Sequence, residues 1–260
     1  MKNKYVSYMS DKVFMEHVAF IVEGYFRAYG NKTSKDLFKN QLDATQLRLD
    51  FELLNLTAYE VIQREIIRQA ERATANLRGE FQERLMGSLP GLYQLPKGQG
   101  IDVMSKDQKI AIEVKNKHNT VKGSDLIDIF KTLRDLIDDP NSPVEEGYFV
   151  RIEDKKSQLK PWVFTHKGEV YEHENIFIAS ADQFYSKMTG SSTAFAELDY
   201  ALAIAIKDYT KKAGLDLSSL QPTPDTILKG EYTNLTDEEA IQKLIDESHS
   251  HYEGYNQKTI

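Results

Sequence analysis

Residues Gln99 to Lys122, QGIDVMSKDQKIAIEVKNKHNTVK, hold the pattern on which the reading of the fold turns. Asp102 lies in a short apolar run, and the polar stretch from Ser105 to Lys109 reads as a turn. Ile110-Ala111-Ile112-Glu113-Val114-Lys115 is then the next strand, rich in β-branched residues. Side chains alternate faces along a strand, so Ala111, Glu113 and Lys115 share one side and Ile110, Ile112 and Val114 the other. A turn that folds the two strands together brings Asp102 near Glu113 and Lys115. Two carboxylates and an ammonium gathered there can hold a hard cation with a positive charge beside it, which suits chemistry on a phosphate ester. Charge inside an apolar strand is costly unless it is paired or binds a metal. The competing reading is an edge hairpin carrying a solvated Glu-Lys pair.

Working outward, Asp11 to Tyr29 predicts a first helix with Ser10 as its cap, and Lys35 to Leu54 a second, less sharply patterned helical region. Thr57 and Glu60 have the spacing of a capping box. From there Ile62, Ile66, Ala70, Ala73, Leu77, Phe81 and Leu85 predict one long helix, stopped by Gly87, Ser88 and Pro90. Its last turns bring Glu80 and Glu83 close in sequence to the carboxylate pair. Leu89 to Gly100 reads as a Gly- and Pro-rich loop.

After the charged strand, Asp125 to Ile137 is an amphipathic helix and Gly147 to Ile152 a buried strand. Strand, helix and strand in that order predict a crossover to a parallel neighbour. Lys160 to Thr165 and Val170-Tyr171 flank His-Lys-Gly-Glu as a hairpin, and Asn175 to Ala179 is a further strand. Short and longer helices follow at Ser180 to Met188 and Phe195 to Tyr209, and Thr236 with Glu239 caps a last one. The fold class is therefore α/β (α+β): a mixed central sheet flanked by helices, with a helical N-terminal region.

The bulk composition narrows the function classes. Across 260 residues, 40% hydrophobic, 28% charged and a mean hydropathy of -0.51 are ordinary for a soluble protein. No apolar run is long enough for a membrane helix, and no signal peptide is visible. With no cysteine there is no disulfide, thiolate chemistry or cysteine-ligated zinc, which fits an intracellular chain. The net charge of -7 opposes nucleic-acid binding only on average. Between Lys97 and Lys122 six lysines stand against Asp102, Asp107 and Glu113, a local balance of +3. Between Glu231 and Ile260 seven acids stand against Lys243 and Lys258, a balance of -5.

An acid, ten residues and then Glu-X-Lys resembles the PD-(D/E)XK nuclease superfamily. Ile101-Asp102 takes the place of its Pro-Asp, and Glu113-Val114-Lys115 that of its second half. More closely, GQGIDV with AIEVKNKHNTVKGSDL resembles a family of type II restriction endonucleases that recognise GGNCC. That resemblance implies a restriction-endonuclease-like core at 57–215, between a helical N-terminal region (1–56) and a C-terminal extension packed on the core (216–260), its end frayed.

It also implies a Mg²⁺-dependent cut in double-stranded DNA that leaves 5′-phosphates. Asp102, Glu113 and Lys115 are then the catalytic set. Asp102, Glu113 and the Val114 carbonyl are the metal ligands, with Glu80 or Glu83 placed to add a carboxylate. Lys97, Lys117, His118, Asn119, Thr120 and Lys122 are candidates for DNA contact, since lysines position the duplex and Asn or His can read base edges. A symmetric target implies a homodimer with two-fold symmetry, its interface expected on the Thr57 to Leu85 helix. A DNA methyltransferase of the same specificity is the implied functional partner, and the prokaryotic cytoplasm the implied compartment. Two rival readings stand beside this one: a PD-(D/E)XK repair or recombination nuclease, and a DNA-binding protein whose site is vestigial.

Overall fold

In chain order the computed structural model runs through α1 (Asp11–Tyr29), α2 (Ser34–Phe38), α3 (Ala44–Leu54), α4 (Ala58–Gly87), β1 (Leu92–Gln94), β2 (Val103–Ser105) and β3 (Ile110–Lys117). It continues with α5 (Gly123–Asp138), β4 (Glu146–Glu153), β5 (Leu159–Pro161), β6 (Phe164–His166), β7 (Glu169–Tyr171) and β8 (Ile176–Ser180). The helices α6 (Ala181–Thr189), α7 (Ala194–Ala213), α8 (Asp225–Leu228) and α9 (Asp237–Ser248) complete it. The structure describes residues 3–30, 33–117, 123–220, 224–228 and 232–249. It divides into two compact units, 1–22 with 76–213 and 23–75 with 214–260. No helix among the described residues is long and apolar enough to cross a membrane.

The first unit is built on a six-stranded sheet of order β1-β2-β3-β4-β8-β5. β1, β2 and β3 form an antiparallel meander, β3, β4 and β8 run parallel, and β5 closes the far edge antiparallel to β8. The expected mixed sheet and the β3-α5-β4 crossover are both present. α5 covers one face, where Phe130 and Leu133 are buried with Ala111, Phe149, Trp162, Ile176 and Ile178. Stacked and edge-on rings strengthen that layer, with Phe149 and Trp162 centroids 4.6 Å apart.

Two strand assignments differ from expectation. Leu92 to Gln94 pairs with β2 (Leu92 opposite Ser105), although this stretch reads as loop in the sequence. A three-residue strand between Pro90 and Pro96 is too short to display an alternation. Beyond it, the expected hairpin is divided. Leu159–Pro161 joins the main sheet against β8, and only β6 and β7 pair around Lys167-Gly168. Both turn residues have positive φ, 48° and 88°, as a tight two-residue hairpin requires.

α4 starts as the capping box predicts: Glu60 Oε2 accepts the Thr57 N–H at 2.8 Å, and Thr57 Oγ1 accepts the Glu60 N–H at 3.3 Å. Its buried stripe passes through Ile62, Ile66 and Ala70, then Thr74 rather than the expected Ala73, and on to Phe81 and Leu85. A step of four residues keeps Thr74 under Ala70, and its hydroxyl is satisfied by the Glu71 carbonyl at 3.2 Å.

The helix ends against β1 so closely that a Cβ on Gly87 would lie 2.5 Å from the Gln94 nitrogen and 2.9 Å from its Cα. Backbone atoms cannot swing aside. Gly87→Ala is therefore expected to destabilise the protein by about 1–3 kcal/mol in urea unfolding, and an unchanged midpoint would show that the α4–β1 contact is looser than described.

In the second unit, Leu37, Leu47, Val61, Ile62, Ile66, Ile241 and Leu244 form a separate core. Asp50, nearly inaccessible there, pairs with Arg68 at 2.5 Å and Arg64 at 3.4 Å. Thr236 and Glu239 make the second expected capping box at the start of α9. Of the expected frayed end at 249–260, His249 closes α9 by donating its N–H to the Ile245 carbonyl at 3.0 Å, and residues 250–260 lie outside the described residues.

Candidate active site

The turn at Ser105 to Lys109 does fold β2 back on β3, with Val103 opposite Ile112 and Met104 opposite Ala111. Ser105 Oγ holds that turn by accepting the Ile110 N–H at 2.9 Å. Asp102 sits one residue before β2 rather than inside it, yet its backbone stays in the ladder. Its N–H donates to the Ile112 carbonyl at 3.1 Å, and its carbonyl accepts the Leu95 N–H at 2.8 Å. The side chain then reaches across the strands, where Oδ2 accepts the Val114 N–H at 2.8 Å. That bond fixes the carboxylate beside β3.

Glu113 is buried, with 8% of its surface exposed, and its Oε1 lies 2.5 Å from Lys115 Nζ. Burial pushes the Glu113 carboxyl up to about 7, and the Asp102 carboxylate, close enough to share a hydrogen bond with it, pushes the same way. The Lys115 ammonium offsets only part of this. Burial alone would lower the Lys115 pKa, but Glu113, Asp102 and Glu83 outweigh it and leave it raised. Lys115 is thus a firmly held cation beside two crowded carboxyls.

The two helical acids separate clearly. Glu80 is engaged by Lys97 at 2.8 Å and Arg84 at 2.7 Å, and the Lys97 hydrogen bond is the main reason its pKa is depressed. Glu83 faces the site: burial raises its pKa first and the charge of Asp102 second. Gln94 Nε2 donates to Glu83 Oε2 at 3.2 Å. Gln94 was not a candidate from sequence, since it lies in the stretch read as loop. Lys97 is exposed and tied to Glu80. Lys117 closes β3, its backbone paired with Glu153. His118, Asn119, Thr120 and Lys122 lie outside the described residues.

No group of three or more His, Asp or Glu side chains among the described residues is gathered as a metal-binding set. The oxygen donors on offer are a pair of carboxylates, Asp102 and Glu113, and the carbonyl of Val114, the residue after Glu113 in β3. All are hard oxygens. Mg²⁺ is commonly held by one or two carboxylates while keeping several waters, so the pair matches its habit. A cation between the two carboxyls would also offset the burial and the Asp102 charge that raise the Glu113 pKa.

Comparison with known proteins shows the family of the chain. A family model described as Eco47II restriction endonuclease matches residues 6–211. The chain is 33% identical over 223 residues to the type II restriction enzyme Sau96I of Staphylococcus aureus, covering 82% of this chain and 85% of that protein. It is 32% identical over 150 residues to the type II restriction enzyme Eco47II of Escherichia coli, covering 55% of this chain and 63% of that protein.

Proposed function

Because the chain belongs to the Eco47II restriction endonuclease family, we propose that it hydrolyses double-stranded DNA at GGNCC in a Mg²⁺-dependent reaction that leaves 5′-phosphates. The observation that carries this reading is the buried Glu113 carboxyl, pressed against Asp102 and paired with Lys115 at 2.5 Å. The resemblance of GQGIDV and AIEVKNKHNTVKGSDL to endonucleases that recognise GGNCC supports the target sequence.

Asp102, Glu113 and the Val114 carbonyl would hold the metal. When bound, Mg²⁺ supplies Lewis-acid stabilisation of phosphate charge and favours ionisation of the attacking water. Asp102 is kept in place for this by the Val114 N–H, and Glu113 by burial and by Lys115. Lys115 donates hydrogen bonds from a protonated amine, orienting the water and stabilising charge on the phosphoryl oxygens. Glu83 tunes the field at the pair. Lys97, Lys117, His118, Asn119, Thr120 and Lys122 form the DNA-contacting rim, and a two-fold homodimer cuts both strands of the palindrome. A methyltransferase of the same specificity protects the host.

Digesting a plasmid of known sequence with Mg²⁺, then sequencing the ends by run-off, tests the proposal. Discrete fragments ending at GGNCC are expected. Progressive degradation or dependence on free ends would favour a repair or recombination nuclease, and binding without cutting a vestigial site.

A further inference from the structure

We propose that Arg151 grips the cut DNA strand through a phosphate neighbouring the scissile one. The inference rests on the nuclease reading above and adds a residue to it. Arg151 in β4 is the parallel-register partner of Lys115 in β3, as Phe149 is of Glu113. Partners on adjacent strands lie about 4.8 Å apart and point to the same face. Arg151 therefore rises beside Lys115 on the face that carries Glu113.

Its surroundings leave the guanidinium underused. The side chain is only 17% exposed, and its head lies 5.1 Å over the Phe149 ring. Phe149 itself is fixed by stacking on Trp162. Among the described residues Arg151 has one ion pair, with Asp154 Oδ1 at 3.7 Å, beyond hydrogen-bond reach. Asp154 is already occupied: Oδ1 accepts the Lys155 N–H at 2.7 Å, and Oδ2 accepts the Gln158 amide at 2.6 Å. The Arg151 Nε is buried with no hydrogen-bond partner among the described residues.

An arginine has five donors, and one this buried is normally paired through them. Here the fork is held by Phe149 and Asp154 but not satisfied by them. Because Nε is closed off, the η nitrogens are the donors left for an incoming group. A phosphodiester oxygen pair suits a planar guanidinium fork.

The test uses the full chain and the duplex that the wild type cuts. Arg151→Gln is expected to lower kcat/KM about 10- to 100-fold, the size of one lost charge-assisted contact. The slope of log Kd against log salt, measured with Ca²⁺ replacing Mg²⁺, should fall by about one. Arg151→Lys should keep the slope and recover part of the rate. Single neutral methylphosphonates placed along the strand give the decisive reading. At one position flanking the cut, the wild type should slow and Arg151→Gln should lose nothing further.

Equal further losses at every position with an unchanged salt slope would show a structural role and overturn the proposal. A changed sequence preference would make Arg151 a base reader and overturn it as well, as would an unaltered kcat/KM. If the wild type cuts no DNA at all, the nuclease reading itself falls. If the wild type cuts and only the Arg151 predictions fail, the nuclease reading stands without this contact.

Discussion

Lys115→Ala is expected to slow DNA cleavage by about 10³-fold or more while specific binding stays within a few-fold of wild type. Lys115 is a cation held by the carboxylates around it, 2.5 Å from Glu113 and raised in pKa by Glu113, Asp102 and Glu83 despite its burial. On the proposed mechanism, removing it takes away the donor for the reacting phosphate. It also removes the ammonium that counters the crowding of Asp102 and Glu113. Both effects act on the chemical step. Affinity is a sum over many phosphate contacts, so one lost lysine changes it little. Single-turnover cleavage with Mg²⁺, beside gel-shift titration with Ca²⁺, separates the two. Equal losses in both assays would make Lys115 a binding residue instead.

Glu113→Gln is expected to abolish cleavage and to stabilise the metal-free protein above neutral pH. The Glu113 carboxyl has an ordinary value of 4.5 and is pushed up to about 7 by burial and by Asp102. Between those values the folded chain keeps a proton that the unfolded chain has released. Stability therefore falls as pH rises through that window, and above it the fold carries the full cost of a buried charge. Glutamine cannot ionise and escapes that cost, at the expense of its pairing with Lys115. At pH 8 in EDTA the variant should be about 1–3 kcal/mol more stable than wild type, and near pH 4.5 the gap should close. Mg²⁺ should narrow the gap at pH 8 by stabilising only the wild type. Urea unfolding at the two pH values is the measurement. A gap independent of pH would mean that Glu113 ionises as a surface carboxylate does.

The charged strand was visible in the sequence. Ile110 to Lys115 announces itself because two charges interrupt an apolar strand, and the polar turn before it forces Asp102 alongside. Those are local signals, and the register Val103 to Ile112 bears them out. The capping boxes at Thr57 and Thr236 were legible for the same reason, with both partners within three residues.

What the sequence hid depends on distant partners. Glu80 and Glu83 stand three residues apart on one helix with equal claims. Lys97 takes one and Gln94 holds the other near Asp102. β1 went unseen because three residues carry no period, and it is this strand that supplies Gln94. Leu159–Pro161 looks like half of a hairpin until β8 offers it an edge. Arg151 reads as one letter in a buried strand, and only the parallel register puts it beside Lys115.

The most direct test of the site is single-turnover cleavage of the target duplex by Asp102→Ala in saturating Mg²⁺. Asp102 is anchored by the Val114 N–H at 2.8 Å and faces Glu113, so its loss removes half of the carboxylate pair. No cleavage above background is the predicted result, with the variant still folded and still binding the duplex. Cleavage at the wild-type rate would contradict the assignment of the metal site to Asp102 and Glu113.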